Sequence, residues 1–176
     1  MDKAHQSKLG KKLDSTIDLM GKNMRTLQQW LDEYGVSHQN KTNKMVHWIC
    51  VPAIVFSLIG LLVSIPFPFV EKSFFANWAA VVIALALLFY LRLSFNMFLS
   101  MGIVMIGMLG LNLELLKTGI NLPVLSVFVF AVAWVGQFWG HKIEGKKPSF
   151  LKDIQFLLIG PAWLMHFIYK KWGWKY

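Results

Sequence analysis

The sequence predicts an all-α membrane protein: a polytopic helical bundle of about four transmembrane helices, an N-terminal amphipathic helix and a C-terminal re-entrant or interfacial helix. Three observations support this prediction. The 176 residues are 56% hydrophobic with a mean hydropathy of +0.49, which is too apolar for an ordinary soluble domain. The apolar residues form long runs of the kind that cross a bilayer. Most lysines and arginines lie between or beyond these runs, as in membrane proteins.

The charge and the motifs exclude several functional classes. A formal net charge of +9 accompanies no nucleic-acid-binding motif, so we assign it to membrane topology and anionic lipid headgroups and expect no nucleic-acid partner. No nucleophile elbow, P-loop, dinucleotide fingerprint or HExxH motif occurs, which disfavours serine hydrolases, nucleotide-driven pumps and zincin proteases. The single cysteine, Cys50, excludes an internal disulfide and a cysteine-based zinc site.

The N-terminal region divides into a tail and a helix. Residues 1–12 are rich in lysine and lack apolar periodicity, so we expect a disordered basic tail. Across 13–35 the apolar residues recur in steps of four and three, at Leu13, Ile17, Met20, Met24, Leu27, Leu31 and Tyr34. The opposite face is polar, which favours a helix that docks on the bundle or lies in the headgroup layer. A homodimeric coiled coil through this helix is the alternative.

Four apolar runs predict the membrane helices. The first extends from about Met45 to Ile65, after a polar segment in which Thr42 and Asn43 are candidate N-caps. The others cover about 75–91, 95–116 and 122–139, separated by short polar turns. The last apolar run, about 154–169, is too short for a hydrocarbon core roughly 30 Å thick and contains Gly160-Pro161. We therefore predict a broken re-entrant or interfacial helix pair there.

The distribution of lysine and arginine sets the orientation. With four spans, the N-terminal segment, the loop Lys142–Lys152 and the C-terminal tail fall on one side, and these are the heavily basic segments. By the positive-inside rule this side is cytoplasmic, with both termini there, in the inner membrane if the protein is bacterial. His38 and His47 then lie near the cytoplasmic start of the first span and His141 at the cytoplasmic end of the fourth. Residues that are far apart in sequence become neighbours.

The polar residues at this end predict a metal site. They share helix faces in three groups: Tyr34 with His38 if the amphipathic helix continues that far, Asn43 with His47, and Gln137 with His141 and Glu144. His38 and His47 are nine residues apart and converge only if the chain bends at 39–42, where its polar composition favours a bend. Three imidazoles, completed by a carboxylate or waters, suit Fe(II), Zn(II) or Mn(II), and open positions on iron permit dioxygen chemistry.

Other interpretations of these residues stay open. His166 is a candidate fourth ligand, or a structural or substrate-facing residue, and Glu144 equally suits an ion pair with Lys146 or Lys147. Trp134 is typical of an aromatic belt at the membrane interface, with a lipid-tail groove as the alternative. Interfacial histidines usually form hydrogen bonds, so a non-enzymatic membrane structural or interaction protein is the competing class.

Two segments resemble the signatures of a known family. YGVSHQNKTNKMVHWICVP, which begins at Tyr34, carries the first, and WVGQFWGHKIEGKKPSF with the later LLIGPAW carries the second. The chain is similar to the small membrane family that includes the fungal endoplasmic-reticulum 2-hydroxy fatty acid dioxygenase of phytosphingosine breakdown. The resemblance implies an Fe(II)-dependent α-oxidation, in which a 2-hydroxy long-chain fatty acid reacts with O2 and gives a fatty acid one carbon shorter.

The resemblance also implies the site residues. His38, His47 and His141 are the expected iron ligands, with Asn43 and Gln137 in supporting catalytic roles. The completing ligand is Glu144, His166 or water. Residues 36–176 then form the membrane-embedded catalytic domain, whose partners are the 2-hydroxy fatty acid, O2 and membrane lipid. A metal-dependent enzyme that acts on another lipid is the alternative.

Overall fold

The protein is described by a computed structural model that covers residues 25–68, 73–151 and 153–176. These residues form α1 (Leu27–Gly35), α2 (Lys41–Ser64), α3 (Trp78–Leu93), α4 (Phe95–Lys117), α5 (Leu122–Glu144), a 3-10 turn (Ser149–Leu151) and α6 (Phe156–Trp172). No strand occurs among them, so the predicted all-α class is confirmed. The predicted tail, 1–12, and the first part of the amphipathic helix, 13–24, lie outside the described residues.

The four predicted apolar helices are present as α2 to α5. Among the described helices, α2, α4 and α5 are long and apolar enough to cross a membrane, whereas α3 is apolar but has 16 residues. The prediction that Thr42 or Asn43 caps the first of them is wrong. The Asn40 side chain accepts hydrogen bonds from both of their N–H groups, at 2.8 and 3.3 Å, so α2 already begins at Lys41.

Close packing of α2 against α5 brings the two halves of the predicted site together. A Cβ atom on Gly136 would lie 2.6 Å from Cys50 Sγ, and one on Gly140 would lie 2.5 Å from Asn43 Oδ1. A larger residue at either position would have to displace the Cys50 or Asn43 side chain, so glycine favours this close approach. The last turns of α5 consequently lie against the first turns of α2. We call this end of the bundle the histidine end.

The helix α1 docks on α6 rather than crossing the bilayer. Its buried residues are Leu27, Trp30, Leu31 and Tyr34, three of which belong to the predicted apolar seam. Docking on the bundle is therefore confirmed for the described part of the amphipathic helix.

The helix α6 lies across the histidine end. The Tyr90 hydroxyl, in the last turn of α3, donates to the Leu158 carbonyl at 2.6 Å, and the Tyr169 hydroxyl donates to the Asn96 carbonyl, in the first turn of α4, at 2.9 Å. The predicted break at Gly160-Pro161 is wrong, because α6 is continuous through Pro161. A proline removes one helix hydrogen bond, and the contacts of α6 with α1, α2 and α4 hold the helix in place.

Candidate metal centre

His38 lies in the short loop between α1 and α2. Its backbone N–H donates to the Gly35 carbonyl at 3.0 Å, and its ring stacks on Tyr34 with 4.0 Å between centroids. The chain then reverses, so that His38 Nε2 lies 2.9 Å from His47 Nε2 in the second turn of α2. The predicted bend between these histidines is therefore present, although residues 41 and 42 already belong to α2.

His141 reaches the same point from the end of α5. Its ring centroid lies 4.9 Å from that of His38 and 5.1 Å from that of His47. The three side chains offer nitrogen atoms that all lie within 4.8 Å of one another, and all three are buried. Within the described ranges, this is the one cluster of three or more histidine, cysteine or acidic residues with such spacing.

The hydrogen bonds fix the tautomers of two of these rings. His38 Nδ1 lies 2.6 Å from the Tyr34 carbonyl, and His47 Nδ1 lies 2.9 Å from the Asn43 carbonyl. A carbonyl oxygen only accepts, so each Nδ1 carries the proton of its neutral ring and each Nε2 keeps a lone pair. The two lone pairs then face each other at 2.9 Å, an arrangement that is repulsive unless a cation lies between them.

The residues present fit a metal ion better than a shared proton. Burial, reinforced by the neighbouring His47 and His141 rings, lowers the pKa of His38 to about 3, so this ring is neutral at physiological pH. His141 Nδ1 is also buried and finds no hydrogen-bond partner among the described residues. Three neutral imidazoles, two of which donate Nδ1–H to backbone carbonyls, are a ligand set that binds first-row transition metals in proteins.

Glu144 fastens the loop that carries His38. Its carboxylate accepts three hydrogen bonds, from the backbone N–H of Gln39 at 2.8 Å, that of Asn40 at 2.9 Å and the side-chain amide of Asn43 at 3.1 Å. The Asn43 amide also donates to the Ser37 carbonyl at 3.3 Å. Charge-assisted hydrogen bonds of this kind are among the stronger ones in proteins. Glu144 and Asn43 together therefore fix the loop against α5.

A narrow cleft with about 50 Å³ of accessible space lies next to the cluster, although none of the three histidines lines it. Its walls are largely apolar but include Tyr34, which stacks on His38, together with Gln137 and Trp134. Gln137 Oε1 and Trp134 Nε1 are buried, and neither finds a hydrogen-bond partner in the described part of the chain. Burial raises the pKa of Tyr34, so its hydroxyl stays protonated and able to donate. A polar ligand in the cleft would satisfy these groups.

The cleft contains two residues that were not among the predicted catalytic or metal-binding residues, Tyr34 and Trp134. Tyr34 lies four residues before His38 within the first family signature, and this spacing could have indicated that Tyr34 is part of the site. Trp134 was interpreted mainly as a membrane-interface residue, because an apolar helix end near a basic loop usually carries such residues. Its inward orientation depends on how α5 packs.

His166 is not part of the histidine cluster. Its ring packs against Phe167 and Tyr176, with centroids 5.6 and 5.0 Å away. Burial and the nearby Lys170 charge lower the pKa of His166. The ring is thus buried and neutral in an aromatic setting, apart from the other three histidines.

On the outer side, His141 borders an open depression with about 300 Å³ of accessible space. Lys142, Lys146 and Lys147 line it, and Lys146 donates from Nζ to the Val36 carbonyl at 2.7 Å. Such a concentration of positive charge next to the cluster attracts anions.

Comparison with known proteins agrees with the resemblance in the sequence. A family model described as "Mpo1-like: 2-hydroxy-palmitic acid dioxygenase Mpo1-like" matches residues 24–172. The chain is 29% identical to the 2-hydroxy-palmitic acid dioxygenase MPO1 of Saccharomyces cerevisiae over 155 residues, which are 86% of this chain and 84% of that protein. No solved structure matches the chain significantly.

Proposed function

Because the chain belongs to the Mpo1-like family, we propose that it is an Fe(II)-dependent dioxygenase that removes the carboxyl carbon of 2-hydroxy long-chain fatty acids. The observation that carries the proposal is the convergence of His38, His47 and His141, with two unprotonated Nε2 atoms 2.9 Å apart. In the proposed reaction, the 2-hydroxy acid and O2 give the acid one carbon shorter, CO2 and water. The carbon–carbon bond to the carboxyl group breaks, and O2 is the oxidant.

The three histidines would hold the metal. Fe(II) bound there would supply O2 activation and a Lewis acid for the 2-hydroxycarboxylate head. The Tyr34 and Asn43 carbonyls retain the Nδ1 protons of His38 and His47, so that Nε2 of each ring stays available at neutral pH. Asn43 and Glu144 act on the site through the loop, which they hold in place.

Other side chains would bind and orient the substrate head. The unpartnered Gln137 Oε1 lies one helical turn before His141 and can accept a hydrogen bond from the substrate's hydroxyl. Trp134 and Tyr34 offer N–H and O–H donors in the same cleft. The lysines of the outer depression would attract the carboxylate, while the apolar cleft walls exclude water.

The proposal includes the predicted organisation of the chain. Residues 36–176 form the catalytic domain in the membrane, and α1 docks on it. The basic segments favour a cytoplasmic location for both termini and the histidine end, in the inner membrane of a bacterium.

Oxygen consumption tests this function. Detergent-purified protein is loaded anaerobically with Fe(II) and given 2-hydroxypalmitate or palmitate, and the products are identified by mass spectrometry. We expect O2 uptake and pentadecanoate with the hydroxy acid alone, and neither in a His141→Ala variant. Equal activity on both acids would overturn the substrate assignment. The absence of stoichiometric metal, together with no turnover, would favour a non-enzymatic membrane protein.

A further inference from the structure

We propose that the acyl chain of the substrate lies in an apolar groove between α2, α3 and α6, and that the side chain at position 86 limits the length of chain that fits. This inference rests on the proposed function, because the metal site fixes one end of the substrate. The groove offers about 330 Å³ of accessible space. Its α3 wall is formed by Val82, Ile83 and Ala86.

The groove begins where the cleft beside the histidines ends. Both cavities are lined by Val55, Leu157 and Pro161, so they adjoin along α2 and α6. A molecule whose head occupies the cleft can therefore extend its tail into the groove without leaving an apolar surface.

One face of α2 connects the metal site to the far end of the groove. The residues on this face are His47, Val51, Val55, Leu58 and Leu62, in steps of four, four, three and four. Such steps keep side chains on one side of a helix. From His47 to Leu62 is fifteen residues, or about 22 Å at the helical rise, which is comparable with an extended palmitoyl chain.

The groove is open to the side. Leu58 and Val82 in its walls are 39% and 44% exposed, and both lie on apolar helices. A fatty acid can thus enter from the bilayer, with its carboxylate at the histidine end and its tail along α2. A fatty acid in a membrane leaflet already has this orientation, with the polar group at the interface and the tail in the hydrocarbon.

A second apolar groove, with about 150 Å³ of accessible space, also adjoins the cleft. Three methionines of α4 line it, Met101, Met105 and Met108. Within α2, however, its wall extends only to Val55, eight residues from His47, or about 12 Å. A long chain follows α2 further in the first groove, so we assign the tail to that groove.

Substitution at position 86 tests the assignment. Ala86 is buried and lines the groove, whereas Ala84 lies two residues away on the exposed side of α3 and does not. We expect Ala86→Phe to lower kcat/KM for 2-hydroxypalmitate by about tenfold or more, because a ring would occupy the space of the tail. Turnover of 2-hydroxyoctanoate should change little. Ala84→Phe should leave both unchanged, and equal losses on both substrates in Ala86→Phe would overturn the proposal.

Two further measurements separate chain selection from damage to the fold. Leu62→Ala enlarges the far end and should raise activity on 2-hydroxytetracosanoate relative to 2-hydroxypalmitate, a gain that destabilisation does not produce. In metal-free protein, a 2-hydroxy acid with a terminal diazirine should photolabel residues 58–62 or 82–86, and excess 2-hydroxypalmitate should suppress the labelling.

The outcomes distinguish a failure of the groove assignment from a failure of the proposed reaction. Competed labelling of Met101 or Met108, which line the second groove and not the first, would overturn the groove assignment whether or not the enzyme turns over. So would labelling that 2-hydroxypalmitate does not suppress. If no 2-hydroxy acid is oxidised but residues 58–62 or 82–86 are labelled competitively, the proposed reaction fails and the tail site stands.

Discussion

Two regions of the described chain contain buried histidines, and they differ in what surrounds the ring nitrogens. At the histidine end, His38 and His47 donate from Nδ1 to backbone carbonyls and direct Nε2 at each other. On α6, His166 is also buried, at 7% exposure, but packs against aromatic rings. Its Nδ1 has no hydrogen-bond partner in the described part of the chain.

The difference shows that burial alone does not distinguish a ligand from a packed ring. Both regions lower the pKa of a histidine through burial, so neutral imidazole occurs in each. Only at the histidine end do separate helices bring several unprotonated nitrogens to one point, with backbone carbonyls that fix the tautomers. The feature that indicates metal binding is therefore the convergence of lone pairs.

Removing one converging nitrogen should produce the largest effect. In His47→Ala we expect the affinity for iron to fall by at least about a hundredfold. This loss exceeds the roughly 10–100-fold loss that is typical when a residue hydrogen-bonded to a metal ligand is removed. O2-dependent turnover should disappear with it. Metal analysis of purified protein and O2 uptake measure the two quantities. Full iron occupancy in this variant would show that the cluster is not the metal site.

Breaking the loop anchor should have the next largest effect. Glu144→Ala removes the acceptor of three hydrogen bonds to residues 39, 40 and 43, so the segment carrying His38 loosens while the ligands remain. We expect iron affinity to fall about 10- to 100-fold, with activity recovered at saturating iron. Titration of apo-protein with Fe(II) measures this.

Two controls define the role of Glu144. Glu114→Ala changes an exposed carboxylate that pairs with Lys117, and its iron affinity should match the unmodified protein. Should saturating iron fail to restore turnover in Glu144→Ala, and the spectrum of the bound metal change, Glu144 would be a ligand rather than an anchor.

The comparison also explains which parts of the fold could be predicted from sequence. Each apolar run extends over many residues and does not depend on any single side chain, so the existence of α2 to α5 was predicted. The start of α2 was not, because it depends on which of several polar side chains captures the first N–H groups, and Asn40 does so. The continuity of α6 through Pro161 depends on contacts with three other helices, which a local rule for proline does not include.

The site was predictable to a similar degree. The distribution of lysine and arginine placed His38, His47 and His141 at one end of the bundle, and the geometry brings them together. The anchoring contacts of Glu144 and the inward orientation of Trp134 depend on the conformation of residues 36–40 and the approach of α5 through Gly140. Neither is encoded in spacing along one helix.

Acid should destabilise the metal-free protein through the converging rings. The pKa of His38 is about 3 in the folded chain and roughly 6.5 when unfolded. Between these values the unfolded chain binds a proton that the folded chain does not, so stability is fully present above pH ~6.5 and decreases as pH falls. The free energy of unfolding should drop by roughly 1.4 kcal/mol per pH unit from this group alone.

Thermal unfolding of the metal-free protein in detergent, at pH values on both sides of ~6.5, measures this slope. His38→Gln should reduce it, because glutamine does not titrate. An identical slope in that variant would assign the acid sensitivity to other groups.

The smallest effect is expected on the other side of the comparison, at His166. His166→Phe keeps a ring of similar size among Phe167 and Tyr176 and removes a buried Nδ1 that has no partner among the described residues. Volume-conserving changes of this kind usually alter stability by less than about 1.5 kcal/mol, and iron affinity and turnover should match the unmodified protein. The same metal analysis and O2 assay as for His47→Ala apply. A loss of iron in His166→Phe would make His166 a fourth ligand and would remove the distinction between converging and packed histidines.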